Sequence, residues 1–156
     1  MILAALMALV GPCGALASSQ DAVTPDQAQA LTQRRDRALL IGIDAFVTKP
    51  SAYPSATNNV QAIREVFEAS ATPFASLVIP TEPVTSCEDL TRAIRSAFAD
   101  AQENDVSYLY ISTHGLYDPV TGEASLLLSD GWEEGSITPA QLEAAFEGIA
   151  GTKVLW

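Results

Sequence analysis

Cysteine is nearly absent from this chain. Its 156 residues include two, Cys13 and Cys87, which excludes a disulfide-rich scaffold and a Cys-rich zinc site. Histidine is rarer still, with His114 the single copy. Basic residues are few: eight Lys and Arg face nineteen Asp and Glu, for a formal net charge of -11. Only Arg34, Arg35 and Arg37 cluster. Binding to a phosphate backbone needs clustered cations, so nucleic acid is excluded as a partner. The first apolar segment ends in Gly42-Ile43-Asp44 and has no G-x-G-x-x-G loop, so a nucleotide would find no cradle for its phosphates. There are no internal repeats, which excludes solenoids and propellers. No apolar run is long enough to cross a bilayer comfortably, so the mature chain is expected to lack an integral membrane span. The acids Asp118, Glu123, Asp130, Glu133 and Glu134 match no recognised calcium loop. They are read as a solvated acidic loop, and neither a metal nor a cofactor is expected.

What is present suits one domain. Apolar residues make up 48% of the chain and aromatic residues 7%. The first twenty residues carry no charged side chain. Met1 to Val10 is an unbroken apolar run, followed by Gly11, Pro12 and the triplet Ala15-Leu16-Ala17. A short apolar core ending in an A-x-A pattern reads as a signal peptide over residues 1–17, hence an extracytoplasmic (secreted or periplasmic) protein. Cleavage after Ala17 would leave Cys87 as the one cysteine. Residues 18–36 are read as a linker, in which Thr24-Pro25 can open a short helix. The domain then occupies residues 37–156.

Within it, Ala38 to Ile43 is a short continuous apolar run, expected to be a strand buried on both faces. Thr57 to Ala71 carries Val60, Ile63, Val66 and Phe67 at helical spacing, with Thr57 or Asn58 as the cap. Phe74 to Ile79 is a strand stopped by Pro80. Ser86 to Ala101 is a helix with Leu90, Ala93, Ile94, Ala97 and Phe98 along one face, and Ser86 with Asp89 resembles a capping box. Val106 to Ile111 is a third strand, running into Ser112-Thr113-His114-Gly115. A hairpin containing a strand over Ala124 to Leu128 follows. Thr138-Pro139 opens a helix lined by Leu142, Ala145, Phe146 and Ile149, ended by Gly148 and Gly151. Lys153 to Trp156 begins a last buried strand. Such alternation specifies an α/β fold with a mostly parallel sheet and helices on both faces. Ligands of such sheets sit beyond the carboxyl ends of the strands, where Asp44 and the Ser112–Gly115 segment fall.

His114 therefore stands where a rigid strand can aim an imidazole. A histidine there suits a general base that activates a nucleophile, and Gly115 can let a substrate approach and offer its N–H. Taken alone, a histidine satisfied by local hydrogen bonds at a strand end is the more ordinary reading. The surroundings favour the first. Four pieces in this order resemble the caspase-like cysteine peptidases, which include caspases, metacaspases and clostripain-like enzymes. They are Arg37-Ala-Leu-Leu-Ile-Gly-Ile-Asp44, Ser55-Ala-Thr-Asn-Asn-Val-Gln-Ala-Ile63, Tyr108-Leu-Tyr-Ile-Ser-Thr-His-Gly115, and Leu126-Leu-Leu-Ser-Asp130 with Ile137-Thr-Pro-Ala-Gln-Leu142 and Lys153-Val-Leu-Trp156.

The resemblance implies a three-layer caspase-like fold, C-terminally incomplete, and a peptide or protein substrate. It further implies a His/Cys dyad in which His114 is the catalytic histidine and the N–H of Gly115 is an oxyanion donor. The nucleophile does not match: in caspases the cysteine follows the histidine by about 50 residues, and this chain reaches Trp156, 42 residues past His114. Cys87 lies one helix and one strand upstream. The chain is thus expected to be the amino-terminal part of a cysteine-type endopeptidase, inactive as it stands. The alternative is an inactive caspase-like module for interaction or regulation. Asp44 is a candidate for binding a basic P1 side chain, as in the Arg/Lys-specific branches of that family, or else a strand-end cap. Asn58 and Asn59 are read as helix caps, and Tyr108 and Tyr110 as sheet packing. Nothing in the sequence sets the oligomeric state.

Overall fold

The computed structural model describes residues 24–25, 34–47 and 54–156. The expected signal peptide, and most of the expected linker, lie outside them. Ten elements follow in order: β1 (Asp36–Gly42), α1 (Ser55–Glu68), β2 (Ser76–Val78), α2 (Cys87–Ala97), β3 (Val106–Ser112), β4 (Gly115–Tyr117), β5 (Ala124–Ser129), β6 (Glu134–Ile137), α3 (Pro139–Ala145) and β7 (Thr152–Leu155).

Four strands form a parallel sheet in the order β2-β1-β3-β7. β1 lies at its centre, with Ala38, Leu39 and Leu40 fully buried. Because side chains alternate across a strand, β1 serves two layers at once. Ala38 and Leu40 meet Val60 of α1, backed by Phe67, Phe74 and Tyr108. Leu39 and Ile41 face the larger cluster of Leu90 and Ile94 from α2, Leu109 from β3, and Leu142 and Ala145 from α3. The fold is thus mixed α/β with helices on both faces of the sheet, as the alternation of elements led us to expect. Burial of a side chain such as Leu90 or Ile94 contributes about 2 kcal/mol.

The hairpin expected after β3 is instead a second, three-stranded antiparallel sheet, β4-β5-β6. The strand over Glu134–Ile137 escaped notice because Glu-Gly-Ser-Ile has no apolar alternation. It pairs through its backbone, with Ile137 alone reaching the core. Several ends also differ. β2 is three residues long, α1 stops at Glu68, and α2 stops at Ala97. The α2 cap is the expected one: Ser86 Oγ accepts the N–H of Asp89 at 3.1 Å. α3 has a full capping box between Thr138 and Gln141, with Pro139 at its first position.

The amino ends of β1 and β3 are joined by ions. Arg37 and Asp105 are both buried and meet at 2.5 Å. Asp105 also accepts the backbone N–H groups of Arg35 and Gln102, each at 2.9 Å. Burial pushes the Asp105 carboxyl up, but these N–H groups and the Arg37 guanidinium outweigh it and hold it at about 2. The arginine cluster, noted in the sequence only as a charge feature, is therefore partly a structural element of the interior.

Candidate active site

The sheet reverses its winding between β1 and β3, whose carboxyl ends lie side by side. Gly42 pairs with Ser112, and the N–H of Ile43 donates to Ser112 O at 3.0 Å. A ligand site is expected at this kind of crevice. Gly42 has a definite role there. A Cβ at this position would lie 2.7 Å from Ala56 O and 3.0 Å from Val60 Cγ2, so glycine lets the first turn of α1 rest on the end of β1.

That close approach explains Asp44. Its two carboxylate oxygens accept the N–H groups of Ala56 at 2.7 Å and Thr57 at 2.8 Å. Burial raises the Asp44 carboxyl, but hydrogen bonds from Thr57, Ala56 and Ser55 outweigh it, and its pKa falls below the ordinary carboxylate value. The expected caps, Thr57 and Asn58, do not serve: the residue before α1 is Pro54, with no side-chain cap. A capping acid supplied from twelve residues upstream has no local sequence signal. Asn59, also expected to cap, instead donates from Nδ2 to Ser112 Oγ at 3.2 Å and ties α1 to the end of β3.

His114 lies two residues past β3. Its backbone is held from both sides: its carbonyl accepts Leu127 N–H at 2.8 Å, and Thr113 Oγ1 donates to Leu127 O at 2.6 Å. The imidazole is exposed, with its ring centroid 4.7 Å from that of Phe46 at 47°. Phe46 is itself buried, so the exposed histidine leans on a fixed surface at the carboxyl end of the sheet. Phe46 carried no motif in the sequence.

Gly115 begins β4. A Cβ there would meet only Ser125 O, at 3.9 Å, and the residue is not among those with left-handed backbone. Neither space nor backbone conformation demands a glycine at this exposed position. Cys87, the free cysteine among the described residues, opens α2 half-buried and packs against the larger core cluster.

Three of the acids read as a solvated loop accept backbone N–H groups. Asp118 Oδ1 accepts Val120 N–H at 2.8 Å, and Asp130 Oδ1 accepts the N–H groups of Trp132 at 2.7 Å and Glu133 at 2.8 Å. Glu134 Oε2 accepts Val47 N–H at 3.0 Å. Among the described residues no group of three or more His, Cys, Asp or Glu is arranged to hold a metal ion, and no helix is long and apolar enough to cross a membrane.

Residues 35–146 match the family model of the caspase domain. The chain belongs to the caspase-domain family. Nine chains of solved structures also match. One is a Geobacter sulfurreducens protein of known crystal structure, with a TM-score of 0.57 and 17% sequence identity. The match covers 78% of this chain and 48% of that one, so this chain spans about half the length of that protein. At this identity the likeness is one of fold. No curated protein sequence matches the chain. In this caspase domain, the strand that leads to His114 is the neighbour of the central strand, and the histidine stands at the crevice between them.

Proposed function

We propose that this caspase domain is the amino-terminal part of a cysteine-type endopeptidase, in which His114 is the general base and the nucleophilic thiol comes from chain beyond residue 156. One observation carries the reading. His114 is an exposed imidazole on a pinned backbone at the carboxyl end of β3, followed by a glycine that neither sterics nor backbone conformation requires. A glycine without a structural reason suits a position that a substrate must approach closely.

In the proposed reaction an imidazole nitrogen of His114 takes the thiol proton. The sulfur then bonds to the scissile carbonyl carbon, and the displaced electron pair moves onto oxygen. In this scheme the backbone N–H of Gly115 serves as one donor to that oxygen. Collapse breaks the C–N bond, and the imidazolium gives its proton to the departing amine. Water then attacks the thioester, helped by the same imidazole, and restores the thiol. Cys87 has no part in this scheme, since it stands half-buried at the start of α2, against the core.

The test is turnover of fluorogenic peptides by a product extended past Trp156. Changing His114 to Ala is expected to lower kcat/KM by about 10²–10⁴-fold, the range of a positioned general base. The 156-residue chain alone is expected to show no turnover. Near wild-type kcat/KM in the extended His114→Ala protein would overturn the assignment, and turnover by the short chain that stops on blocking Cys87 would relocate the nucleophile.

A further inference from the structure

Among the described residues no hydrogen bond reaches the imidazole of His114. A general base is ordinarily oriented by a third group that bonds its second nitrogen, and that bond also fixes the tautomer. The backbone of His114 is pinned through Leu127, but its side chain keeps two torsions of its own. The contact that the structure does show is with the ring of Phe46, 4.7 Å away between centroids and inclined at 47°. That spacing lies within the range of attractive aromatic pairs.

Phe46 is well held itself. It is 4% exposed and belongs to the core cluster that includes Leu39, Ile41 and Leu128. The chain on either side of it is fastened to a different sheet. Before it, the N–H of Ile43 donates to Ser112 O at 3.0 Å, at the end of β3. After it, the N–H of Val47 donates to Glu134 Oε2 at 3.0 Å, on β6. Between the two, a Cβ on Gly131 would lie 3.2 Å from Ala45 Cβ, so the β5–β6 turn closes on the same segment. A phenyl ring has no proton to give or take. It acts on its neighbour by limiting the torsions open to it. We propose that Phe46 is the positioning residue of His114: its ring, in place of a hydrogen-bonding acid, holds the imidazole in one rotamer at the carboxyl end of β3. The proposal rests on the peptidase reading for its catalytic consequence and adds a residue that the reading does not use. A ring contact occupies neither imidazole nitrogen, so the same imidazole can take the thiol proton and pass it to the departing amine.

The first arm of the experiment is NMR on the 156-residue chain, where His114 is the single histidine and its imidazole signals need no assignment. Wild type is expected to show Overhauser contacts from the imidazole protons to the Phe46 ring, and Hα–Hβ couplings of one rotamer rather than of an average. Phe46→Leu keeps an apolar side chain in the core and removes the ring. In it the imidazole shifts are expected to move to those of free histidine and the couplings to average. Phe46→Tyr keeps the ring and is expected to keep the rotamer. The second arm is turnover of fluorogenic peptides by the product extended past Trp156. There Phe46→Leu is expected to lower kcat by about threefold to tenfold with KM within about twofold, the scale of one aromatic pair, while Phe46→Tyr stays near wild type. Averaged couplings in wild type, an unchanged rotamer in Phe46→Leu, or equal kcat losses in the Leu and Tyr variants each overturn the proposal. The wild-type couplings require no variant to fold. Averaged couplings in a protein whose extended form loses turnover with His114→Ala refute the role of Phe46 alone. A single rotamer that depends on Phe46, in an extended protein whose turnover ignores His114→Ala, refutes the peptidase reading alone.

Discussion

Changing Asp105 to Asn tests what holds the amino ends of β1 and β3 together. The substitution keeps the size of the side chain and removes its charge. Arg37, whose side chain is 1% exposed, then keeps only Asp100 as an anionic partner, and that side chain is 74% exposed. Breaking a buried ion pair from one side costs about 3–5 kcal/mol, because the remaining charge stays out of water. Against a typical domain stability of about 5–15 kcal/mol, that is a large fraction. With a urea slope of about 1–3 kcal/mol/M, the unfolding midpoint should fall by roughly 2 M. An apolar replacement of both partners should not restore the loss, since the N–H groups of Arg35 and Gln102 would lose their acceptor. Acid titration gives a second readout. The Asp105 carboxyl is held at about 2 in the folded chain, below its unfolded value of about 3.9. The folded state therefore binds fewer protons, and this stabilisation is complete above pH 4 and lost as pH falls toward 2. At about 1.4 kcal/mol per unit it amounts to roughly 2.6 kcal/mol. The Asp105→Asn protein should lose less stability across that window than wild type. A midpoint shift worth under 1 kcal/mol, with an unchanged acid slope, would refute this account of the cluster.

Two further substitutions probe the crevice. Gly42→Ala places a methyl 2.7 Å from Ala56 O, so α1 must move; a loss of about 1–3 kcal/mol in thermal or urea unfolding is expected, with faster amide exchange in the first turn of α1. Asp44→Ala removes the acceptor for two helix N–H groups and should cost about 1–2 kcal/mol at neutral pH. Because the Asp44 carboxyl is held below its ordinary value, that difference should shrink as pH falls through the acidic range. A variant as stable as wild type would mean that the cap contributes nothing.

Much of the architecture was legible because it depends on local pattern. The apolar run Ala38–Ile43 is continuous because β1 is covered on both faces, and the helices show their buried stripes at a period near 3.6. The alternation of elements then implies a parallel sheet, and chain direction alone puts Asp44 and His114 at its carboxyl edge. The caps Ser86 and Thr138 could be read because each bonds its own next turn.

Tertiary structure decided whatever depends on partners far apart in the chain. β6 forms by pairing with β5 and leaves no apolar period to read. Asp44 caps a helix twelve residues away because Gly42 lets that helix approach. Arg37, noted in the sequence as one of a basic cluster, is drawn into the interior by Asp105, 68 residues on. Phe46 comes to lie behind His114 only when the segment after β1 meets the segment after β3. The sequence alone determined which groups capable of chemistry exist and which end of the sheet they reach, because strand direction and helical period are short-range properties. Their neighbours are set by which surfaces pack, a property of the folded chain as a whole.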